Sequence, residues 1–408
     1  MSRVWASFWT PKRQRAYPVL LVGILLIWWA VFTVFRAATN ERYGADFVVF
    51  YSASELTLGG KAETAYDPAT IFAHEVQVSS DSDASPFRYP PPFLLVLAPL
   101  ALLPYGLALA SWLGLTALAL AAAVRESVRA WWAFPLAVFP AAAVNIMAGQ
   151  NGFLTAALIG GGLPLLDRRP RVAGMLLGAL MYKPQFLGVA LLGLLVGRRW
   201  KALIWACGCV AALTVVSYLA FGPDAWEGFR ASGQDSVDWL YEPSIADHRV
   251  SALAFGVLFG LSRPAAQALH VLVASLTLVL VVRVWIKDTR PALRNSVTVL
   301  ATLLVSPYVF IYDLAMLIPV AGWLVHEARE RGWPRSQPLL LGICLSAPLW
   351  SWILAAVSGV QLGWVTLAAL AVSVTFGLGS AHRPSSRLPI RPEDSLESNA
   401  KLEIRYKS

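Results

Sequence analysis

Residues 44–92 read GADFVVFYSASELTLGGKAETAYDPATIFAHEVQVSSDSDASPFRYPPP, a polar stretch wedged between two strongly apolar segments. Outward from it, the chain is hydrocarbon-compatible almost to residue 380. Of its 408 residues 57% are hydrophobic and only 14% charged, and the mean hydropathy is +0.59. Water-soluble domains average about 25% charged residues, so the composition is that of an integral membrane protein. The apolar runs lack the period-2 alternation of an outer-membrane barrel, which leaves spanning helices. The fold class expected is an all-α polytopic membrane protein. A connection of about fifty residues is long enough that a task is expected of it.

The formal charge of +9 does not form a nucleic-acid-binding stripe. Basic residues instead cluster at helix ends: Arg168, Arg169 and Arg171; Arg198, Arg199 and Lys201; Arg329, Arg331 and Arg335. This is the positive-inside pattern. The basic N-terminus (1–17) is then cytoplasmic, and the apolar run after it reads as an uncleaved first helix rather than a signal peptide. A second span is expected over about 91–123, then spans over 131–148 and 152–166. Residues 172–197, VAGMLLGALMYKPQFLGVALLGLLVG, keep Arg198 and Arg199 inside only as two short helices meeting at Tyr182-Lys183-Pro184-Gln185. A span over about 202–221 leads to a second outer loop, 222–249. A short interfacial helix at 250–261 and further spans over about 264–286, 295–307, 313–326, 337–356 and 360–379 follow. The total is about twelve spans over residues 18–379, with outer loops 39–90 and 222–249 and a disordered cytoplasmic tail, 380–408.

Several side chains point to chemistry, each with a plainer alternative. Asp46, at a helix exit among aromatics, fits a general base, or else an ordinary helix cap. Lys183 precedes proline at an apparent intramembrane apex, where a charge needs a partner or a task; it fits a phosphate contact, or snorkels to water. Arg88 meets phosphate, or anchors at the headgroups with Tyr89. Gln150 and Asn151 bring amides to an outer turn and suit sugar hydroxyls, though Asn-Gly is also a common turn signal. Tyr312-Asp313, after Ser306-Pro307, pairs an aromatic with a carboxylate. Trp226, Trp239 and Tyr241 are candidate sugar-stacking or interfacial faces. Asp81-Ser82-Asp83 has a metal-like spacing but reads as a solvated loop tip. The five histidines are scattered, and Cys207, Cys209 and Cys344 fall inside apolar segments, so no metal site or disulfide is expected.

Taken together, DFVVFYSASELTLGGKAETAYDP, FRYPPPFLLVLAPLALLP, GQNGFLTAALIGGGL, AGMLLGALMYKPQ and SPYVFIYDLAMLIP resemble, in order, the polyprenol-phosphate-sugar-dependent glycosyltransferases of family 87. The resemblance covers about residues 40–325. It implies a GT-C-type bundle with a large first outer loop. It also implies inverting transfer from a polyprenyl-phosphate-linked sugar donor to a lipid or glycan acceptor, at the outer face of a bacterial-type cytoplasmic membrane. It gives the base role to Asp46. The residues' own chemistry makes Lys183, Arg88 and Tyr312 the candidates for the donor phosphate, and Tyr51, Tyr89, Gln150, Asn151 and Asp313 the candidates for substrate contacts. Some family branches carry a histidine after the late Ser-Pro, where this chain has Tyr312-Asp313. No cofactor beyond the donor lipid and no nucleic-acid partner is implied. Two readings without covalent chemistry stay open from sequence: a transporter or lipid flippase with Asp46 and Lys183 on its path, and a lipid-binding scaffold.

Overall fold

Proline opens one helix after another in this chain. Its missing N–H and fixed φ do no harm at a first helical position, and Pro68, Pro92, Pro140, Pro170, Pro184, Pro243 and Pro291 each begin an element. The computed structural model describes residue 23 and residues 44–79, 85–125, 139–287, 290–331, 334 and 336–376. The expected first span apart from residue 23, the Asp81-Ser82-Asp83 tip, the start of the third span, Arg335 and the tail lie outside the described residues. The helices are α1 (Phe47–Leu58), α2 (Pro68–Val78), α3 (Pro92–Leu97), α4 (Tyr105–Val124), α5 (Pro140–Ala148), α6 (Gly152–Leu165), α7 (Pro170–Gly178) and α8 (Pro184–Val196). They continue with α9 (Trp200–Trp239), α10 (Pro243–Ala246), α11 (Ala252–Leu258), α12 (Arg263–Ile286), α13 (Pro291–Val305), α14 (Leu317–Arg331), α15 (Gln337–Ser358) and α16 (Gly363–Phe376). Among the described residues there is no strand; an isolated antiparallel bridge joins Arg249 to Phe310.

Five described stretches are long and apolar enough to cross a membrane: Tyr105–Val124, Trp200–Trp239, Arg263–Ile286, Ile311–Ala328 and Gln337–Ser358. Four of them expose apolar side chains, such as Leu118, Leu219, Val279 and Val357. Faces of this extent would promote association in water and are satisfied against lipid. The fifth, Ile311–Ala328, has 78% of its window buried and lies in the middle of the bundle, against α5, α6, α13 and α15. Further apolar helices, among them α6, α8 and α13, are shorter, with 14, 13 and 15 residues. At 1.5 Å per residue they reach about 20 Å, less than a ~30 Å hydrocarbon core.

These short helices run between two unlike ends. At one end Asp167 takes Arg199 at 2.7 Å and Arg294 at 3.5 Å, and Glu327 holds Arg290 together with Arg331. At the other end lie the starts of α1 and α6, the apex before α8, and residues 306–313.

Three expectations need correction. The stretch 44–92 is not a polar loop where it is described, but a helical module with an aromatic core of Phe47, Phe50, Phe87, Phe93 and Trp112. The apolar faces of α1 and α3 close on one another, a pairing the linear sequence hides. Residues 91–123 are not one span: a 3₁₀ turn at Ala98–Leu102 and the extended Pro104 break α3 from α4. The segment 222–249 is largely helical too, because α9 runs on to Trp239 past a break at Gly222, where φ is 76°. Residues 172–197 do form two arms, α7 and α8, joined through a 3₁₀ turn at Ala179–Tyr182 and Lys183. Gly174 and Gly178, four apart, let α7 lie directly on Ala202 and Ala206 of α9.

Candidate active site

The turn Gly149-Gln150-Asn151-Gly152 joins α5 to α6 and has almost no room on either side. Gly149 ends α5 in the left-handed region (φ +71°), and a Cβ there would lie 2.6 Å from Cβ of Phe47. A Cβ on Gly152 would lie 2.5 Å from the Tyr312 carbonyl oxygen. The turn is therefore pressed between the start of α1 and residue 312, and glycine at both ends is what permits it. Hydrogen bonds fix the arrangement. The Gly44 and Asp46 amides donate to Met147 and Ala148 carbonyls at 2.8 and 3.1 Å. Trp112 Nε1 donates to the Gly149 carbonyl at 3.2 Å, and the Gly152 amide donates to Asn145 Oδ1 at 2.7 Å.

Asp46 occupies the N-cap position of α1, yet its side chain makes no capping bond. It instead accepts from Gln150 Nε2 at 3.0 Å. The plain capping alternative therefore does not describe this carboxylate, which is half-buried. Asp67 shows what capping looks like here: its carboxylate accepts from the Thr70 hydroxyl at 2.5 Å and the Thr70 amide at 2.9 Å, and both lower its pKa. Tyr89 Oη lies 3.5 Å from Gln150 Oε1 and faces Asn151 and Tyr312. Burial raises the Tyr89 phenol pKa, so it stays protonated and able to donate.

The second half of the cluster is ionic. Lys183 Nζ donates to Asp313 Oδ1 at 2.6 Å, and both groups are buried. Asp313 Oδ2 accepts from the Phe310 amide at 3.1 Å. The Lys183 ammonium also lies 5.3 Å from the Tyr312 ring and 5.2 Å from the Phe186 ring. The apex is held from the module side by Tyr182, whose ring stacks on Phe93 at 4.8 Å and whose hydroxyl meets Thr155 Oγ1 at 2.6 Å.

The structure thus brings Asp46, Tyr89, Gln150, Asn151, Lys183, Tyr312 and Asp313 to one end of the bundle. Tyr51 stands apart, its hydroxyl donating to the Leu103 carbonyl at 2.9 Å. Arg88 lies against Trp239, its guanidinium 3.9 Å from the centre of that ring. Trp226 packs against Phe229, and Tyr241 lies under Arg263. Arg249 was not among the expected residues. It is fully buried, 5.8 Å from the same Trp239 ring, and burial pushes its guanidinium down to about 10, so it remains charged at neutral pH. Its only sequence signal is that it is one of two arginines, with Arg230, among the acidic residues of 222–249.

The cluster holds two carboxylates in different surroundings, amide and phenol donors between them, and cations to one side. Such a set suits a single displacement: one carboxylate takes a proton while cations hold an anionic leaving group. No curated protein and no solved structure matches this chain. A family model described as glycosyltransferase family 87 matches residues 87–307, more than half of the chain. The match contains Tyr89, Gln150, Asn151, Lys183 and Arg249, and the fold carries Asp46 and Tyr312-Asp313 to them from either side of it. On this match the chain belongs to glycosyltransferase family 87, whose members are membrane glycosyltransferases.

Proposed function

We propose that the protein moves a hexose or pentose from a polyprenyl-phosphate-linked donor to a hydroxyl of a glycolipid or envelope-glycan acceptor, with inversion. The reaction takes place at the outer face of the cytoplasmic membrane. The observation that carries this reading is Asp46: a helix-start carboxylate that does not cap its helix and is held instead by the Gln150 amide. In the proposed step Asp46 takes the acceptor O–H proton as the acceptor oxygen bonds to the anomeric carbon. The bond from that carbon to the phosphate oxygen breaks, and polyprenyl phosphate leaves with the electron pair. One base suffices for this displacement, without a second carboxylate as nucleophile.

Gln150 and Tyr89 orient Asp46 and the acceptor, and Asn151 reaches sugar hydroxyls. Lys183, one of whose three donors goes to Asp313, points the others toward the phosphate with Tyr312; Arg88 approaches the same phosphate from the Trp239 side. The chain crosses the membrane about twelve times. The arginine-rich end, with Arg199, Arg290 and Arg294, is cytoplasmic by the positive-inside rule, which puts Asp46 at the opposite face. Because α6, α8 and α13 reach only about 20 Å, the reacting atoms lie below the outer surface, where a lipid-linked donor enters sideways. The rival of transport without chemistry gains nothing here, since the polar cluster stays at one end and ion pairs tie the other.

The test is reconstitution of the purified protein with polyprenyl-phosphate sugars labelled on the sugar, together with an envelope lipid extract. Transfer with inverted anomeric configuration is expected. Retention at the anomeric centre would contradict the single displacement, and no transfer across a panel of donors would remove the reading.

A further inference from the structure

Lys183 is not enough to hold a phosphate. Its charge is matched by Asp313 at 2.6 Å, so the pair is close to neutral as a unit. Another buried cation lies nearby and is differently placed. Arg249 is fully buried, and none of Nε, Nη1 and Nη2 makes a hydrogen bond to a described residue. A guanidinium has five donors in a fixed planar fork, and burying it with none of them satisfied is costly. Asp247 contributes electrostatically, but its Oδ1 is bonded to His248 Nδ1 at 2.7 Å.

The backbone explains the position. Residues 248–250 pair with 309–311, through the Val250 amide to the Val309 carbonyl at 2.8 Å and the Ile311 amide to the His248 carbonyl at 3.2 Å. The pairing sets Arg249 opposite Phe310, whose ring stacks on Tyr312 at 5.4 Å. Trp239 then lies against Phe310 and receives two cations, Arg88 at 3.9 Å and Arg249 at 5.8 Å. Both arginines also act electrostatically on the Tyr308 phenol. Two guanidinium groups on one indole, with a phenol beside them, make an anion clamp that the Phe310 and Tyr312 rings connect to the Lys183–Asp313 pair.

We propose that Arg249, with Arg88, grips a lipid-linked phosphate through its fork, and that Arg249 rather than Lys183 is the principal cation for that group. The inference rests on the transferase reading only for the phosphate's source, which there is the donor. The shared chemistry is a phosphate ester on a lipid, and the alternative source is a phospholipid headgroup.

The experiment measures binding without sugar transfer, in full-length protein reconstituted in phosphatidylcholine nanodiscs. A labelled polyprenyl monophosphate is compared with the uncharged polyprenol of the same length, and phosphatidylglycerol serves as competitor. Wild type should prefer the phosphate. Arg249→Gln should lose that preference by about tenfold or more, the scale of charge-assisted hydrogen bonds, while polyprenol binding holds. Arg249→Lys, which keeps the charge and loses the fork, should retain part of it. Lys183→Gln should lose less than Arg249→Gln. Weak competition by phosphatidylglycerol identifies the donor as the source; equal competition identifies a headgroup. If Arg249→Gln does not fold, Arg249→Lys and Arg88→Gln carry the test, with several-fold losses expected. Wild-type phosphate preference in Arg249→Gln, or in both of the other two variants, overturns the proposal. Intact, Arg249-dependent phosphate binding with no transfer would remove the proposed function and leave this inference standing.

Discussion

Asp46 and Asp313 lie at the same end of the bundle and are built for opposite purposes. Asp313 is buried, ion-paired to Lys183 at 2.6 Å, and bonded through its other oxygen to the Phe310 amide. Asp46 is half-buried and accepts a hydrogen bond from a neutral amide, Gln150 Nε2 at 3.0 Å. Placing a proton on Asp313 would break its pair with Lys183 and leave a buried ammonium behind. The bond from Gln150 to Asp46 loses only its charge assistance when the carboxylate takes a proton. The difference teaches that burial and proximity alone do not pick out a base; what the partner loses when the proton arrives does.

The largest effect should come from breaking the ionic side of this comparison. Lys183→Met or Asp313→Leu alone should cost about 3–5 kcal/mol of stability, because each leaves an uncompensated buried charge. The double variant should recover most of that loss in detergent unfolding. If the single variants are as stable as wild type, the pair does not bear on the fold as described. Next in size is Gly152→Ala. Its Cβ would meet the Tyr312 carbonyl oxygen at 2.5 Å and must push the two carboxylate regions apart. We expect about 1–3 kcal/mol lost and transfer slowed by about 100-fold, since displacements near 1 Å are that costly. Wild-type turnover in this variant would show that the turn does not set the spacing.

Gln150→Ala should be milder. Removing the amide that hydrogen-bonds the Asp46 carboxylate costs about 1.5 kcal/mol, or roughly a tenfold lower kcat/KM. An unchanged rate would separate Gln150 from the reaction. The smallest effect belongs to Asp67→Ala, which removes an exposed helix cap and should leave transfer unchanged. Its sign with pH is fixed. Asp67 has a lowered folded pKa, so its contribution is present above the unfolded value of about 3.9 and disappears as the pH falls through the folded one. Wild type and variant should therefore converge in stability in acid, as thermal unfolding at pH 7 and below pH 3 would show.

The sequence made much of the site legible because its residues are chemically out of place. Lys183 before proline inside an apolar run, and Asp46 at a helix exit, announce themselves by cost. Gln150 and Asn151 are marked by their turn glycines, though not the reason for them: the crowding by Phe47 and Tyr312 is non-local. Arg249 was illegible for the same reason. Its burial comes from pairing with residues some sixty positions later, and no local pattern records that. The helical character of 44–79 and of 222–239 escaped because these segments mix polar and aromatic residues, and their apolar faces are completed by partners distant in sequence, as where Phe229 meets Tyr66 at 6.1 Å.

The central claim is that Asp46, not Asp313, takes the proton. Single-turnover sugar transfer by Asp46→Asn, measured per mole of folded protein at saturating donor and compared with wild type and Asp313→Asn, tests it most directly. The amide keeps the shape and one hydrogen bond but accepts no proton, so transfer should fall by about 10²–10⁴-fold, with donor binding and unfolding temperature unchanged. Asp313→Asn should instead lose stability and donor affinity together. Transfer at near wild-type rate by Asp46→Asn, with the chemical step abolished in folded Asp313→Asn, would contradict the account and move the base to Asp313.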